Sequence, residues 1–281
     1  MPNRNPKTVI IAGGTSGMGR ATALGRLAHG DRVTVIGSDA GKGAALLEQA
    51  ADPNLRFIQA DLSSVAEVRR VAREIAEVHT AVDAVGLFAN RLNPKRRVTA
   101  DGLEDTFALY YLSRYLLAQY LQPLLDRSSS PVIINVAGVG ATAGAVRWDD
   151  PQLSRGYSMI RAQLQAGRAN DLAGVGYAQL ATTTRYVLYH PGFTRTGSKN
   201  HPNPMVHNVI STLARFFARP VESAVAPIVE WIDHPPADPL TAIDRGKPVP
   251  LSLSTLDPAD AVRLRAYTED LLGTLAAPQQ L

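Results

Sequence analysis

The chain has 281 residues, 45% of them hydrophobic and 19% charged, enough apolar material for one large α/β domain or two small ones. The net charge of +4 is mild and scattered, and its densest run, Lys95-Arg96-Arg97, reads as a solvated loop in preference to a nucleic-acid patch. No Cys excludes disulfides and thiolate metal sites, and no apolar run reaches the ~18 residues of a membrane span, so a cytoplasmic protein without nucleic-acid or membrane partners is expected.

The chain organises itself first around residues 7–20, KTVIIAGGTSGMGR. Residues 8–12 read as a buried strand. Gly13, Gly17 and Gly19 follow, with Thr15, Ser16 and Met18 among them, and helix-forming sequence begins at Arg20. Strand, glycine turn and helix make the shape of a dinucleotide site. Glycines let the backbone approach a pyrophosphate, and a helix N-terminus offers unpaired N–H groups and a positive dipole end. A plain tight turn is the alternative. The same glycines come too early for a signal-peptide core, so none is expected.

Strands and helices then alternate. Residues 21–28 carry helix formers, stopped by Gly30, and 32–36 form a second strand. Residues 40–51 read as a helix ended by Asp52-Pro53, and 56–60 as a third strand. Ser63 or Ser64 can cap a helix over 65–78, where Val65, Val68, Val71, Ile75 and Val78 lie three or four apart. A fourth strand at 83–89, a long helix at 103–125 and a fifth strand at 131–136 follow. A second long helix over 157–181 is predicted although Gly167, Gly174 and Gly176 weaken it. Residues 185–189 form a sixth strand. This alternation implies parallel pairing through right-handed crossovers, hence an α/β doubly wound sheet, the Rossmann fold.

Beyond His190-Pro191-Gly192 the character changes. Residues 193–208 read as a loop and a candidate substrate lid, because loops beyond the carboxyl ends of the strands form the ligand crevice. Helices are predicted at 209–217 and 221–232, a late strand at 248–253, and a final helix at 258–272 with Asp257 as N-cap. We read residues 1–281 as one domain. Residues 1–192 form the nucleotide-binding core, 193–235 the substrate loop and helices, and 236–281 the closing strand and helix.

With these residues in view, the chain resembles the short-chain dehydrogenase/reductase family over residues 7–272. Ala12-Gly13-Gly14-Thr15-Ser16-Gly17-Met18-Gly19 is similar to its TGxxxGxG, with Ala for the leading Thr. Asp61-Leu62 is similar to its adenine-contacting pair. Pro191-Gly192 with Thr196 is similar to its PGxxxT at the nicotinamide end. Leu87-Phe88-Ala89-Asn90 stands where the family has NNAG. The ending, residues 249–265, looks like that of the retinol-dehydrogenase-like members.

The family's catalytic Asn, Ser, Tyr and Lys are carried over incompletely. Tyr157 matches the Tyr. The Lys, four residues on, is Arg161, the Ser position is Gly138 and the Asn position is Tyr110; no lysine has a Tyr four residues before it. Reducing a ketone needs a hydride from nicotinamide and a proton for the developing alkoxide. A Tyr of free pKa ~10 needs a neighbouring cation to ionise near neutrality, and residues four apart on a helix can meet, so Arg161 is a candidate for that cation. It cannot release a proton. Gly138 lacks a hydroxyl for a substrate carbonyl, a kind of loss that costs about 2.7–4 kcal/mol of transition-state stabilisation. Tyr110 lacks the water-positioning amide but carries a phenol. The plainer readings are core packing for Tyr110, a tight turn for Gly138 and a surface or phosphate-facing charge for Arg161.

NAD sites usually carry an acid at the end of the second strand. Here Gly37 and Ser38 stand there, with Arg20 and Lys42 as possible phosphate partners, which favours NADP(H); Asp39 turned inward would favour NAD(H). His190 reads as structural in preference to catalytic. Asp149-Asp150 beside Trp148 reads as a solvated acidic loop near the substrate entrance. The six His show no metal spacing. The expectation is an NADP(H)-binding oxidoreductase acting on a carbonyl or alcohol of a small organic substrate such as a secondary metabolite, with Tyr157 as acid/base assisted by Arg161. The alternatives are non-redox chemistry on the same fold (cyclase, dehydratase or isomerase) and an inactive cofactor-binding or interaction module. The resemblance also implies a homo-oligomer, dimer or tetramer, through the two long helices. The first carries Leu109, Leu112, Leu116, Leu117 and Tyr120, more apolar surface than a sheet face covers.

Overall fold

The computed structural model describes residues 5–192 and 220–276. Eight strands form one sheet in the order β3-β2-β1-β4-β5-β6-β7-β8. They are β1 (Thr8–Ala12), β2 (Arg32–Gly37), β3 (Leu55–Gln59), β4 (Ala84–Leu87), β5 (Val132–Val136), β6 (Arg185–His190), β7 (Leu240–Asp244) and β8 (Lys247–Pro248). β1 to β7 pair in parallel, and β8 runs antiparallel to β7. Residues 132–135 of β5 and 186–189 of β6 are buried on both faces, as a sheet covered by helices requires.

Helices α1 (Gly17–Ala28), α2 (Ala40–Ala50) and α6 (Val221–Asp233) cover one face, burying Met18, Leu27, Leu46, Ile228 and Ile232. Helices α3 (Val65–Val78), α4 (Ser113–Leu125), α5 (Met159–Ala178) and α7 (Pro258–Ala276) cover the other. A buried Arg26 ties α1 to α6: Nη2 lies 2.9 Å from Asp233, and its Nε bonds Asp31 at 2.6 Å. Among the described residues no helix is long and apolar enough to cross a membrane.

The doubly wound sheet stands as read, and the differences have local causes. α1 starts at Gly17, four residues earlier than expected, because Ser16 is its extended N-cap. The long helix before β5 opens with a π-helical turn, Phe107–Leu112, before α4. α5 forms across its three glycines, and at Gly174 the helix packs closely on the sheet: a Cβ there would lie 3.0 Å from both Leu188 and Tyr186 on β6. The late strand is misplaced in the sequence reading. β7 lies earlier, and Arg245 (φ +52°) with Gly246 (φ +84°) turns the chain back into β8. Asp257 does cap α7, accepting from the amides of Ala259 and Asp260 at 2.8 and 3.0 Å. The expected lid at 193–208, the helix at 209–217 and Thr196 lie outside the described residues.

α7 also answers the apolar excess of the first long helix. It lies on α5 and on the π turn, burying Ala261 and Leu264, with Tyr111 Oη 2.6 Å from Thr268 Oγ1 and the Tyr267 ring edge-on to Phe107. Leu109, Leu112, Leu116 and Leu117 are all buried within one copy. Tyr120, the fifth residue of that surface, is half-buried.

Candidate functional site

Because β1 to β7 are parallel, their carboxyl ends share one edge, and Gly13, Gly37, Asp61, Ala89, Gly138, His190 and Asp244 all stand along it. Gly13 has φ +80°, and a Cβ on it would lie 2.6 Å from the Ala89 amide nitrogen; a Cβ on Gly19 would overlap the Gly13 carbonyl oxygen. Only glycine fits, so backbone and not side chains faces the space above. Gly17 is also left-handed (φ +53°). Ser16 makes no side-chain cap, and the first turn of α1, with Met18, holds no acid. The N–H groups of a first helical turn have no partners within the helix, so a pyrophosphate fits here by hydrogen-bond need and by charge.

At the end of β2 a Cβ on Gly37 would lie 2.7 Å from Thr15 Cγ2, so Thr15 fills the place where an acid would project. Asp39 does not turn inward. It caps α2, accepting from the Lys42 amide at 3.0 Å, with Lys42 Nζ at 3.5 Å. Those hydrogen bonds hold its carboxyl below the ordinary range. Ser38 is exposed, its carbonyl oxygen 3.4 Å from Gln59 Nε2, and the Arg20 guanidinium donates to Gln49 Oε1. Asp61 accepts from the amide and hydroxyl of Ser63 at 3.0 and 2.8 Å. Burial pushes its carboxyl up, but these bonds and the Arg91 charge outweigh burial and hold it down. Leu62 is buried behind it.

The loop after β4 crosses the middle of the edge. Asn90 and Gln163 of α5 exchange side-chain hydrogen bonds at 2.9 and 3.2 Å, and Gln163 also donates to the Arg91 carbonyl at 3.0 Å. Arg91 joins Ser63 at 2.9 Å to Asp105 at 2.8 Å, and Asn93 donates to Asp105 at 2.6 Å.

Tyr157 ends this chain of contacts. It precedes α5, whose N-cap is Ser158, and its hydroxyl donates to the Asn93 carbonyl at 2.8 Å. Burial raises the phenol's pKa, and the charges of Glu104 and Asp105 add to the rise. Arg161 is exposed and donates back to the Gly156 carbonyl. The expected Tyr157–Arg161 partnership is therefore not formed. With Tyr157 off the helix, the four-residue spacing no longer puts the two side chains on one face, and the phenol is raised where the mechanism needed it lowered.

Tyr110 is core packing. Its ring is buried beneath the Arg114 guanidinium, 4.6 Å from centroid to Cζ. Its carbonyl, loosened by the π turn, accepts from Asn170 Nδ2 at 2.7 Å. Arg114 is fully buried and donates to the carbonyls of Ala89 and Val136 at 2.9 and 2.8 Å and to Asn135 Oδ1. Asn135 Nδ2 donates onward to Asn170 and to the Tyr186 hydroxyl at 3.0 and 2.9 Å. This network fixes β4, β5, β6, α5 and the π turn beneath the crevice. Gly138 has ordinary backbone, and a Cβ on it would meet nothing within 4 Å, so no tight turn requires glycine there.

The family model for short chain dehydrogenase matches residues 7–149, just over half of the chain. The chain belongs to the short-chain dehydrogenase family. It is 27% identical to dehydrogenase/reductase SDR family member 12 of Bos taurus, over 94% of this chain and 86% of that one. It is 29% identical to human retinol dehydrogenase 14, over 78% and 71%. Among solved structures, an uncharacterised protein from Mycobacterium paratuberculosis matches with a TM-score of 0.71 at 23% identity, covering 95% of this chain and 93% of that one. The Pseudomonas aeruginosa RhlG/NADP active-site complex matches with a TM-score of 0.67 at 22% identity, covering 85% and 95%.

For a member of this family, the edge brings together the glycine turn, Asp61, Ala89-Asn90, Gly138 and Pro191-Gly192, and leaves Arg161 apart. Gln163, Arg114 and the Asn135–Asn170 pair escaped the sequence reading. Two of them carry a signal in retrospect: an Asn inside the apolar strand PVIINV and an Arg inside the apolar helix LYYLSRYLLAQYL each demand a buried partner. Gln163 carries none. Within the basic run Arg96 donates to the Gln152 carbonyl at 3.2 Å, while Lys95 and Arg97 are exposed. Asp150 closes a turn, where hydrogen bonds from Ser154 and Arg155 hold its carboxyl at about 2.

Proposed function

We propose that the chain binds NADP(H) and transfers a hydride between its nicotinamide and a carbonyl or alcohol of a small organic substrate. The observation that carries this reading is the intact glycine cradle facing an uncapped α1 N-terminus, at a site where no acid projects from the end of β2. Bound there, the cofactor supplies the hydride. The backbone around Gly13, Gly17 and Gly19 and the Ser16 hydroxyl hold the pyrophosphate, Asp61 meets the adenine, and Pro191-Gly192 line the nicotinamide end. Ser38, Arg20 and Lys42 are the candidates to meet a ribose 2′-phosphate, with the Asp39 carboxylate turned to the Lys42 amide in capping α2. Tyr157 enters as a protonated phenol that positions the 91–97 loop, without help from Arg161.

Fluorescence titration of the full chain is expected to show tighter binding of NADPH than of NADH. No binding of either defeats the site, and a preference for NADH defeats the 2′-phosphate argument alone. A carbonyl panel followed at the absorbance of the reduced nicotinamide then tests the hydride step. Product formed without that change would move the function to non-redox chemistry, which the missing hydroxyl at Gly138 favours as the second reading.

A further inference from the structure

Thr106 stands immediately before the π turn, and the capping that a Thr ordinarily does there is done by a neighbour. Glu104 is buried, and its Oε1 and Oε2 accept from the amides of Thr106 and Phe107 at 2.9 and 2.7 Å. The Thr106 side chain makes no cap. Thr106 is 1% exposed, and among the described residues its Oγ1 has no hydrogen-bond partner at ordinary length. Native chains leave few buried hydroxyls unbonded, because the loss of water is then uncompensated.

The surroundings of this hydroxyl lead to Tyr157. The next residue, Asp105, accepts from Asn93 Nδ2 at 2.6 Å, and the Asn93 carbonyl accepts from the Tyr157 hydroxyl at 2.8 Å. That bond uses the phenol's one hydrogen and leaves the lone pairs of its oxygen open to a donor. Thr106 is the donor that acts on them. Burial raises the phenol's pKa, hydrogen bonding from the Thr106 side chain lowers it, the charges of Glu104 and Asp105 raise it, and that of Arg96 lowers it. Thr106 is thus the stronger of the two groups here that favour the phenolate, while Arg161 is turned to the Gly156 carbonyl. A contact of this kind is often long until the charge it serves has developed.

We propose that Thr106 is the positioning residue of Tyr157, its hydroxyl donating to the phenolate oxygen that forms when Tyr157 gives up its proton. The inference rests on the hydride-transfer reading above, with Tyr157 as its acid/base. In reduction, the substrate oxygen replaces the Asn93 carbonyl at the phenol hydrogen. The carbonyl carbon receives the hydride of the reduced nicotinamide, and the π pair of the C=O bond moves to oxygen. The Tyr157 O–H bond breaks, its proton passes to the substrate oxygen, and its electron pair stays on the phenolate. The Thr106 bond is then charge-assisted, about twice as strong as a neutral one. Tyr157 is half-buried, so solvent restores its proton. In alcohol oxidation the phenolate accepts the alcohol's proton. Tyr157 is the catalytic residue, and Thr106 gives it the help that Arg161 does not.

The test uses the full chain and carbon NMR of the tyrosine Cζ atoms, the Tyr157 resonance being the one lost in Tyr157→Phe. Thr106→Val keeps the shape and removes the hydroxyl. It is expected to melt no lower than wild type, because a hydroxyl without a partner gives up no bond, and to move the Tyr157 titration to higher pH. With NADPH and a panel of aldehydes and ketones, kcat is expected to fall about tenfold or more with NADPH affinity unchanged. The rising limb of the alcohol-oxidation pH profile is expected to move to higher pH. Thr106→Ser is expected to behave as wild type in every measurement. Thr106→Ala repeats the titration if the Val methyl crowds the site. A structural role alone predicts the reverse, a lower melting temperature with the Tyr157 titration unmoved, and that result overturns the proposal. So does Thr106→Ser titrating like Thr106→Val. If the wild type binds NADPH yet reduces nothing in the panel, the hydride reading fails on its own. The titration then still decides the contact: a Tyr157 midpoint raised in Thr106→Val and restored in Thr106→Ser supports it, and one that stays still overturns it.

Discussion

Asp171 of α5 is 1% exposed, with one carboxylate oxygen 2.7 Å from Arg168 Nη1 and no partner for the other among the described residues. Burial raises its pKa to about 7 against the pull of the Arg168 charge, and the same burial lowers the pKa of Arg168. Both partners describe a pair whose desolvation outweighs its attraction. The folded chain then holds a proton that the unfolded chain, with an Asp pKa of ~3.9, releases. Stability from this group is greatest below about pH 4, falls as pH rises to about 7, and is level above. Asp171→Asn keeps the shape and removes the charge, while Arg168 keeps its bonds to the carbonyls of Ala141 and Thr255 at 2.8 and 3.2 Å. The variant is expected to melt higher than wild type above neutrality, with the difference shrinking toward about pH 4. Parallel melting curves at every pH would show that no charge is buried there. Residues of this kind explain what the sequence could show of the site. Gly13 and Gly19 are legible because only glycine allows their contacts, and Asp61 is legible through its motif. Tyr157 and Arg161 misled because spacing along a chain implies a shared face only inside a helix, and Tyr157 precedes one.

At the scale of elements, the strands were legible because each is a short apolar run bounded by turn residues. β7 was missed because LTAID is half polar and its turn is made by an Arg in left-handed backbone. The π turn was invisible for a different reason. It is stabilised from outside, by Asn170 on α5 taking the Tyr110 carbonyl, and no local pattern encodes a partner 60 residues away. Asn170 also accepts from Asn135, so one amide joins β5, α5 and the π turn. Asn170→Leu is expected to leave the Tyr110 carbonyl and the Asn135 amide short of a partner and to cost about 1–3 kcal/mol in urea unfolding. Because the floor carries the crevice, NADPH affinity is expected to weaken in the same variant. A loss below about 0.5 kcal/mol, within the range of neutral surface changes, would mean that water or the neighbouring side chains replace the amide without cost.

For the whole molecule, the decisive element is α7. The resemblance implies association through the long helices, yet α7 lies across α5 and the π turn and forms the outer wall of a cleft lined by Tyr111, Tyr115, Leu172, Tyr177 and Leu264. A helix of the same chain is present at an effective concentration that a second copy does not match unless its contacts are better. The full chain is therefore expected to scatter light as a single copy of 30.1 kDa at micromolar concentration. The contact can be opened from within: a Cβ on Gly176 of α5 would lie 3.9 Å from Ala261 Cβ, so the helices meet closely there. Ala261→Glu places a charge in that buried contact, where it has no partner to neutralise it. We expect α7 to undock, the tyrosine-lined face to take up a hydrophobic dye, and the mass to rise with concentration. A wild type already of twice the mass, with Ala261→Glu leaving it unchanged, would show that copies meet elsewhere and that α7 does not guard the interface.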